Sequence, residues 1–206
     1  MARLIVPAVL LLAAVVFYSR QQADQAEAET DDTAPDWTDE LNAAIATAKN
    51  LIAPAPAAGM STSAAGLAHI AKFEGLSLTP IQLGDGGWTL GRGRYFPYSG
   101  PQPPARISIE TADAWFADDV ANKGERWVKA YVSADLTQPQ FDALVSMAFN
   151  LSPKSFRTIA DEVNAGNDPE AAALRFVRAG TNLERGLRNR RAAELALFRT
   201  DPTIYA

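Results

Sequence analysis

The chain of 206 residues contains no cysteine. Disulfides, thiol nucleophiles and cysteine-ligated zinc are therefore excluded. Histidine is nearly as scarce, with His69 the single example. Any serine triad or imidazole metal site would have to be built on that one ring. Its setting, Leu67-Ala68-His69-Ile70-Ala71, reads as a turn of helix in which the ring plays a structural or surface part rather than a catalytic one. No cofactor, metal or nucleic-acid partner is expected. The formal charge is −5, but it is not evenly spread. Residues 21–65 hold eight acids and one base, whereas residues 66–206 hold 16 of each. The acidity thus belongs to a spacer and says nothing about substrate.

Long apolar runs are also missing, apart from one at the N-terminus. Leu4 to Tyr18 forms an apolar stretch of 15 residues, interrupted by Pro7 and flanked by Arg3 and Arg20. That is short against the roughly 20 residues of a membrane span, and it fits the apolar region of a signal peptide. Ala26-Glu27-Ala28 has the form of a cleavage site, but Arg20 between run and site is unfavourable. Residues 1–20 are therefore expected to act as a membrane signal-anchor, retained or releasable. Residues 21–65 read as an acidic, Ala/Pro-rich spacer. Within it Trp37, Leu41, Ile45, Ala48 and Ile52 recur at helical spacing, which predicts a short amphipathic helix over residues 36–52. Pro54, Pro56 and Gly59 then mark a linker.

From residue 66 to residue 206 the texture is globular. A first helix is expected to end near Gly75. The run Gly84, Gly86, Gly87, Gly91 and Gly93, with Trp88-Thr89-Leu90 inside it, reads as a small hairpin sheet. Helices are expected over residues 108–121, 123–131, 138–150, 155–165, 168–179 and 187–199, with caps such as Ser108. The fold class is α+β and mostly helical, with one small sheet near the start of the domain.

Glu74 follows an apolar helix and precedes the glycine-rich stretch. Burying a carboxyl at such a helix end favours its protonated form, so it can donate a proton near neutral pH. Protonating a glycosidic oxygen, a poor leaving group, is the first requirement of glycoside hydrolysis.

Three blocks give this residue a context. Phe73-Glu74-Gly75-Leu76-Ser77-Leu78 is followed by Gly87-Trp88-Thr89-Leu90-Gly91-Arg92-Gly93. The second block runs Leu136-Thr137-Gln138-Pro139-Gln140-Phe141-Asp142-Ala143-Leu144-Val145-Ser146-Met147-Ala148-Phe149-Asn150, and the third Gly186-Leu187-Arg188-Asn189-Arg190-Arg191-Ala192-Ala193-Glu194. In this order they resemble the phage lysozymes of glycoside hydrolase family 24. The resemblance implies a lysozyme-like, two-lobed domain. It also implies a muramidase that cuts the β-1,4 bond between N-acetylmuramic acid and N-acetylglucosamine. Glu74 takes the place of the general acid, and Thr89 that of the threonine which helps to place the attacking water.

The family's aspartate, nine residues after the glutamate, falls on Leu83. Asp85 is the only acid between Glu74 and Thr89. It is the candidate for the base that orients water, and it is equally a turn residue beside glycine. The family's tyrosine and histidine of the glycine-rich segment fall on Arg92 and Arg94. Arg94 is a candidate substrate-binding residue that shapes the cleft. Asn150 is a second, because an amide at a helix end suits N-acetyl groups. Arg188, Arg190 and Arg191 either meet stem-peptide carboxylates or decorate the helix, with at least one expected to pair with Glu194.

Three readings of activity stay open: hydrolysis, lytic transglycosylation of the same bond, and a glycan-binding module that kept the fold. Peptidoglycan is the expected partner, together with a membrane through the N-terminal segment. The resemblance extends to endolysins with a signal-anchor-release segment, which places the domain in the periplasm at the host inner membrane, with holin-system partners. A virion-associated lysin is the alternative.

Overall fold

The structure, a computed structural model, describes residues 42–47, 53–84 and 86–205. The chain divides into two units, Pro54–Thr200 and a second made of Met1–Ala53 with Asp201–Ala206. In the second unit, residues 42–47 are helical, inside the amphipathic helix expected over 36–52. Pro202–Ile204 forms a short 3₁₀ turn there, capped by the Asp201 side chain. Among the described residues no helix is long and apolar enough to cross a membrane. The apolar run of residues 4–18 lies outside the described residues.

The larger unit begins earlier than the glycine at position 66. Strand β1 (Ala55–Pro56) pairs antiparallel with β5 (Asp135–Leu136), and Ala57 beside it is buried. Two carboxylates then fasten the next residues. Glu125 accepts from Thr62 N and Oγ1 at 2.7 and 2.8 Å, and Asp142 accepts from Ser63 N and Oγ at 3.1 and 2.5 Å. The stretch that reads as a linker is thus pinned to the body by backbone pairing and by charge-assisted hydrogen bonds, the stronger kind.

Ser63 also caps helix α1 (Ala64–Ala71), its side chain accepting from Gly66 N. The three-stranded antiparallel sheet that follows has the order β2 (Ser77–Leu83), β3 (Gly87–Gly91), β4 (Arg94–Pro97). Its first strand is longer than the glycine pattern suggests. Cross-strand partners share a face. Ile81, Thr89 and Tyr95 are aligned, as are Gln82, Trp88 and Phe96. Ile81 and Tyr95 are half-exposed, so theirs is the open face. Phe96 instead meets Trp115 of helix α2 (Ile109–Asp119), with ring centroids 6.0 Å apart. A side chain on Gly87 would run into the Tyr95 ring, so this position takes only glycine without displacing Tyr95.

Residues 108–131, expected as two helices, form one helical run. A π-helical segment (Val120–Glu125) joins α2 to α3 (Arg126–Tyr131). The wider winding accompanies a close backbone approach. A Cβ on Gly124 would sit 2.7 Å from Val145 Cγ1 and 2.9 Å from the Val145 carbonyl oxygen. The partner is α4 (Gln138–Asn150), the central helix. It opens with a Thr137/Gln140 capping box and buries Pro139 and every residue from Phe141 to Ala148. Phe141, Leu144, Val145 and Met147 on it are fully buried against Ile70, Val120, Phe156 and Ile159. Each such side chain contributes roughly 1.5–3 kcal/mol by leaving water.

Helix α5 (Pro153–Asn164) is capped by Ser152. The helix expected over 168–179 is cut short. It is the single turn α6 (Glu170–Ala173) plus a 3₁₀ turn, and the chain then passes through positive φ at Arg178 (49°) and Gly180 (78°). Helix α7 (Glu184–Phe198) closes the unit and packs on α4.

Candidate active site

Glu74 lies just beyond α1. Its backbone N–H donates to the Ala71 carbonyl, and its side chain is 22% exposed. It stands on the wall of a cleft of about 800 Å³, which Phe73, Asn150, Ser152, Ser155, Arg175, Arg178 and Arg190 also line. Ser152 and the amide of Asn150 bring the end of α4 to this wall, and Arg190 brings α7. Two of the five residues singled out as site candidates, Glu74 and Asn150, therefore share one cleft.

They are also joined beneath its surface. Arg190 Nη1 donates to Glu74 Oε1 at 2.8 Å, and Arg190 Nε donates to Glu194 Oε1 at 3.1 Å. The Arg190 guanidinium lies 5.0 Å from the centroid of the Phe73 ring. Arg191 Nη1 is 2.6 Å from Glu194 Oε2, and Arg191 Nη2 donates to Asn150 Oδ1. Arg191 and Glu194 are fully buried and Arg190 almost so. Residues three and four apart on a helix face the same way, so positions 190, 191 and 194 put the charged side of α7 inward, against Ser146 of α4. Buried charges persist only when paired. Each of these charges has an ion-pair partner, although Arg191 Nε, Arg191 Nη1 and Glu194 Oε2 are buried without a hydrogen bond, and the chain of pairs ends on the cleft. Glu74 Oε1 is engaged in this way; among the described residues no donor reaches Oε2.

His69, one turn before Phe73, has a buried Nε2 with no hydrogen-bond partner, and its ring meets Phe73 edge-on at 5.4 Å. Burial, with Lys72 and Arg190 adding repulsion, lowers its pKa to about 4. The ring is therefore a neutral packing group at ordinary pH.

Thr89 sits mid-strand on the open face of the sheet, opposite Ile81 and Tyr95, and is not among the residues that line the cleft. Asp85 lies outside the described residues. Leu83, at the family's aspartate position, pairs with Gly87, and its carbonyl accepts from Tyr98 Oη at 3.1 Å. Arg94 makes no contact with Glu74. It is consumed by Asp119 (2.6 Å), Asp118 (2.9 Å) and the Trp115 carbonyl (3.1 Å), and it lines a separate cavity of about 450 Å³ with Arg92, Tyr95, Asn122 and Lys123. The cation that touches the acid is Arg190, from the C-terminal motif. The Arg-Arg pair and the glutamate of that motif are visible in the sequence. That one of them reaches across 116 positions to Glu74 is not. Among the described residues no three or more His, Cys, Asp or Glu side chains group as a metal site would need.

Comparison with known proteins identifies the family. Residues 71–194 match the phage lysozyme family model. The chain is 37% identical over 145 residues to the endolysin of Bacillus phage PZA, covering 68% of this chain and 55% of that protein. The chain thus spans about half the length of that relative. It is 33% identical to the endolysin of Acyrthosiphon pisum secondary endosymbiont phage 1, covering 68% of this chain and 98% of the relative. Among solved structures, the muramidase domain of SpmX from Asticaccaulis excentricus superimposes with a TM-score of 0.59 at 36% identity, over 68% of this chain and 98% of that one. With three sequence blocks in order, a helical α+β fold and a cleft walled by the motif glutamate, this chain belongs to the phage lysozyme family.

Proposed function

We propose that the protein is a peptidoglycan-degrading muramidase. It cuts the β-1,4 bond between N-acetylmuramic acid and N-acetylglucosamine, with Glu74 as general acid. The observation that carries this reading is the half-engaged carboxyl on the cleft wall. Arg190 fixes Oε1, and Oε2 is left for the glycosidic oxygen. Asn150, oriented by Arg191, offers its amide to an N-acetyl group on the same wall. Arg175 and Arg178 line the cleft without a carboxylate partner among the described residues. Such cations suit the stem peptide's carboxylates, which peptidoglycan has and neutral chitin lacks.

The family resemblance assigns the placing of the attacking water, on the face of the sugar opposite Glu74 as an inverting mechanism requires, to Asp85 and Thr89, although Thr89 is not among the residues that line the cleft. The leucine at position 83 keeps a second chemistry in view, in which the muramic acid hydroxyl attacks and leaves a 1,6-anhydro end. Mass spectrometry of digested peptidoglycan separates the two, since the products differ by one water. Hydrolysis gives the heavier, reducing ends. Anhydro products would transfer the chain to the transglycosylases, and no products at all would leave a binding module.

We further propose that residues 1–20 tether the enzyme to the host inner membrane with its cleft in the periplasm, where a phage would use it for lysis. The apolar run with its flanking arginines supports this. Fractionation is expected to find the full chain with membranes, and soluble after depolarisation. A chain that is soluble in both states would contradict the tether.

A further inference from the structure

We propose that Glu194 is a positioning residue for the acid. It takes up part of the positive charge of Arg190, so that Glu74 is aimed into the cleft without being locked in its ionised form. This rests on the reading of Glu74 as the general acid.

The geometry is a two-pronged fork. Glu194 Oε1 accepts from Ser146 Oγ at 2.6 Å and from Arg190 Nε at 3.1 Å, and Oε2 lies 2.6 Å from Arg191 Nη1. Arg190 continues to Glu74 Oε1 at 2.8 Å, and Arg191 to Asn150 Oδ1. One buried carboxylate thereby aims one guanidinium at the acid and the other at the cleft amide. Arginine suits the task because its planar fork serves two carboxylates at once, which an ammonium on a flexible stem does less well.

Charge counting gives the consequence. With Glu74 ionised the cluster holds two cations and two anions, and protonating Glu74 leaves a surplus of one. Without the charge of Glu194, the same protonation raises the surplus from one to two. In a buried cluster this is a large penalty. An acid gripped by an unshared arginine would have lost its proton at the pH where it must donate it. The other groups facing the pair are Ser146 and Asn150, which are neutral; His69, neutral above about pH 4; and Arg175 and Arg178 on the cleft wall. None of these would change charge in the variants below, though Arg191→Met also releases the Asn150 amide, so the sign of the effect comes from Glu194 and Arg191. Burial holds the Glu194 carboxyl above the ordinary glutamate range, outweighing the downward pull of Arg191, Arg190 and Ser146. The proposal requires it to be ionised wherever the enzyme turns over.

The test is the pH–rate profile of peptidoglycan hydrolysis by the full chain and three variants. Glu194→Gln is expected to move the alkaline limb down by about one pH unit. Arg191→Met, which removes a cation instead, is expected to move it up by a similar amount, and the double variant to return it near its original place. Limbs that do not move, or that move the same way in both single variants, would overturn the proposal, because a purely structural role predicts no opposite signs.

If the single variants do not fold, carboxyl NMR titration of the unaltered protein gives the result. Glu194 ionised throughout the range of turnover is expected, and a protonated Glu194 there would overturn the proposal. Glu74→Gln serves as the control. Its retained activity would remove the acid reading and this proposal with it. An inactive control with unmoved limbs would remove only the role of Glu194.

Discussion

Glu74→Gln is expected to lower peptidoglycan turnover by about 10²–10⁴-fold, the usual worth of a positioned general acid, while leaving the fold intact. The amide keeps the shape of the side chain, and its carbonyl oxygen can still accept from Arg190. It has no proton to give the leaving oxygen. The side chain is partly exposed and Arg190 retains Glu194, so neutralising position 74 strands no buried charge. Turbidity clearing of purified cell walls, read beside a melting curve, checks both halves. Lost activity at an unchanged Tm is the expected pair, and full clearing by the variant would put the acid elsewhere.

The second large effect is on stability. Arg190→Met is expected to destabilise the protein by about 3–5 kcal/mol, the cost of stranding one member of a buried ionic group. Arg190 is 5% exposed and holds Glu74, Glu194 and the Ser146 carbonyl oxygen. Its removal leaves a fully buried Glu194 carboxylate with Arg191 as its remaining cation. For a unit of this size the loss corresponds to a fall in Tm of about 10 °C. Turnover should fall as well, because nothing then fixes Glu74 Oε1. Arg190→Lys keeps the charge but offers a single point of attachment in place of a fork, so an intermediate result is expected. An unchanged Tm for Arg190→Met would mean that the charged face of α7 does not hold this helix to α4.

The residues that act on substrate in this account were easier to read from sequence than the residues that hold them. Glu74 and Asn150 stand inside motif blocks whose spacing reflects local structure, the exit of α1 and the end of α4. The helices over 138–150 and near 187–199 follow from their periodicity and caps. The Arg190–Glu74 pair joins positions 116 apart, and no local pattern encodes which of three neighbouring arginines turns toward the cleft. The π-helical segment at 120–125 depends on how closely Gly124 approaches Val145, a tertiary fact that helix propensity does not register. The β1–β5 pair escapes detection for a similar reason. Two-residue strands carry no periodicity, and Ala55-Pro56 has the composition of a linker. The expected helix over 168–179 fails for a legible reason. Past the 3₁₀ turn, Arg178 takes a left-handed backbone that the Thr181 N–H and hydroxyl fix through the Arg178 carbonyl. Arg94 stands where the family's histidine would, yet Asp118 and Asp119 of α2 claim it, and the sequence alone does not tell which acids lie within its reach.

In the proposed reaction the glycan is cut at Glu74, in the cleft shared with Asn150 and Arg190. A crystal structure of the Glu74→Gln variant with a muramic-acid-containing tetrasaccharide tests it most directly. The scissile glycosidic oxygen is expected within about 2.6–3.2 Å of the residue 74 side chain, with an N-acetyl group against Asn150. A glycan seated instead in the cavity of Arg92, Arg94 and Lys123, out of reach of position 74, would contradict it.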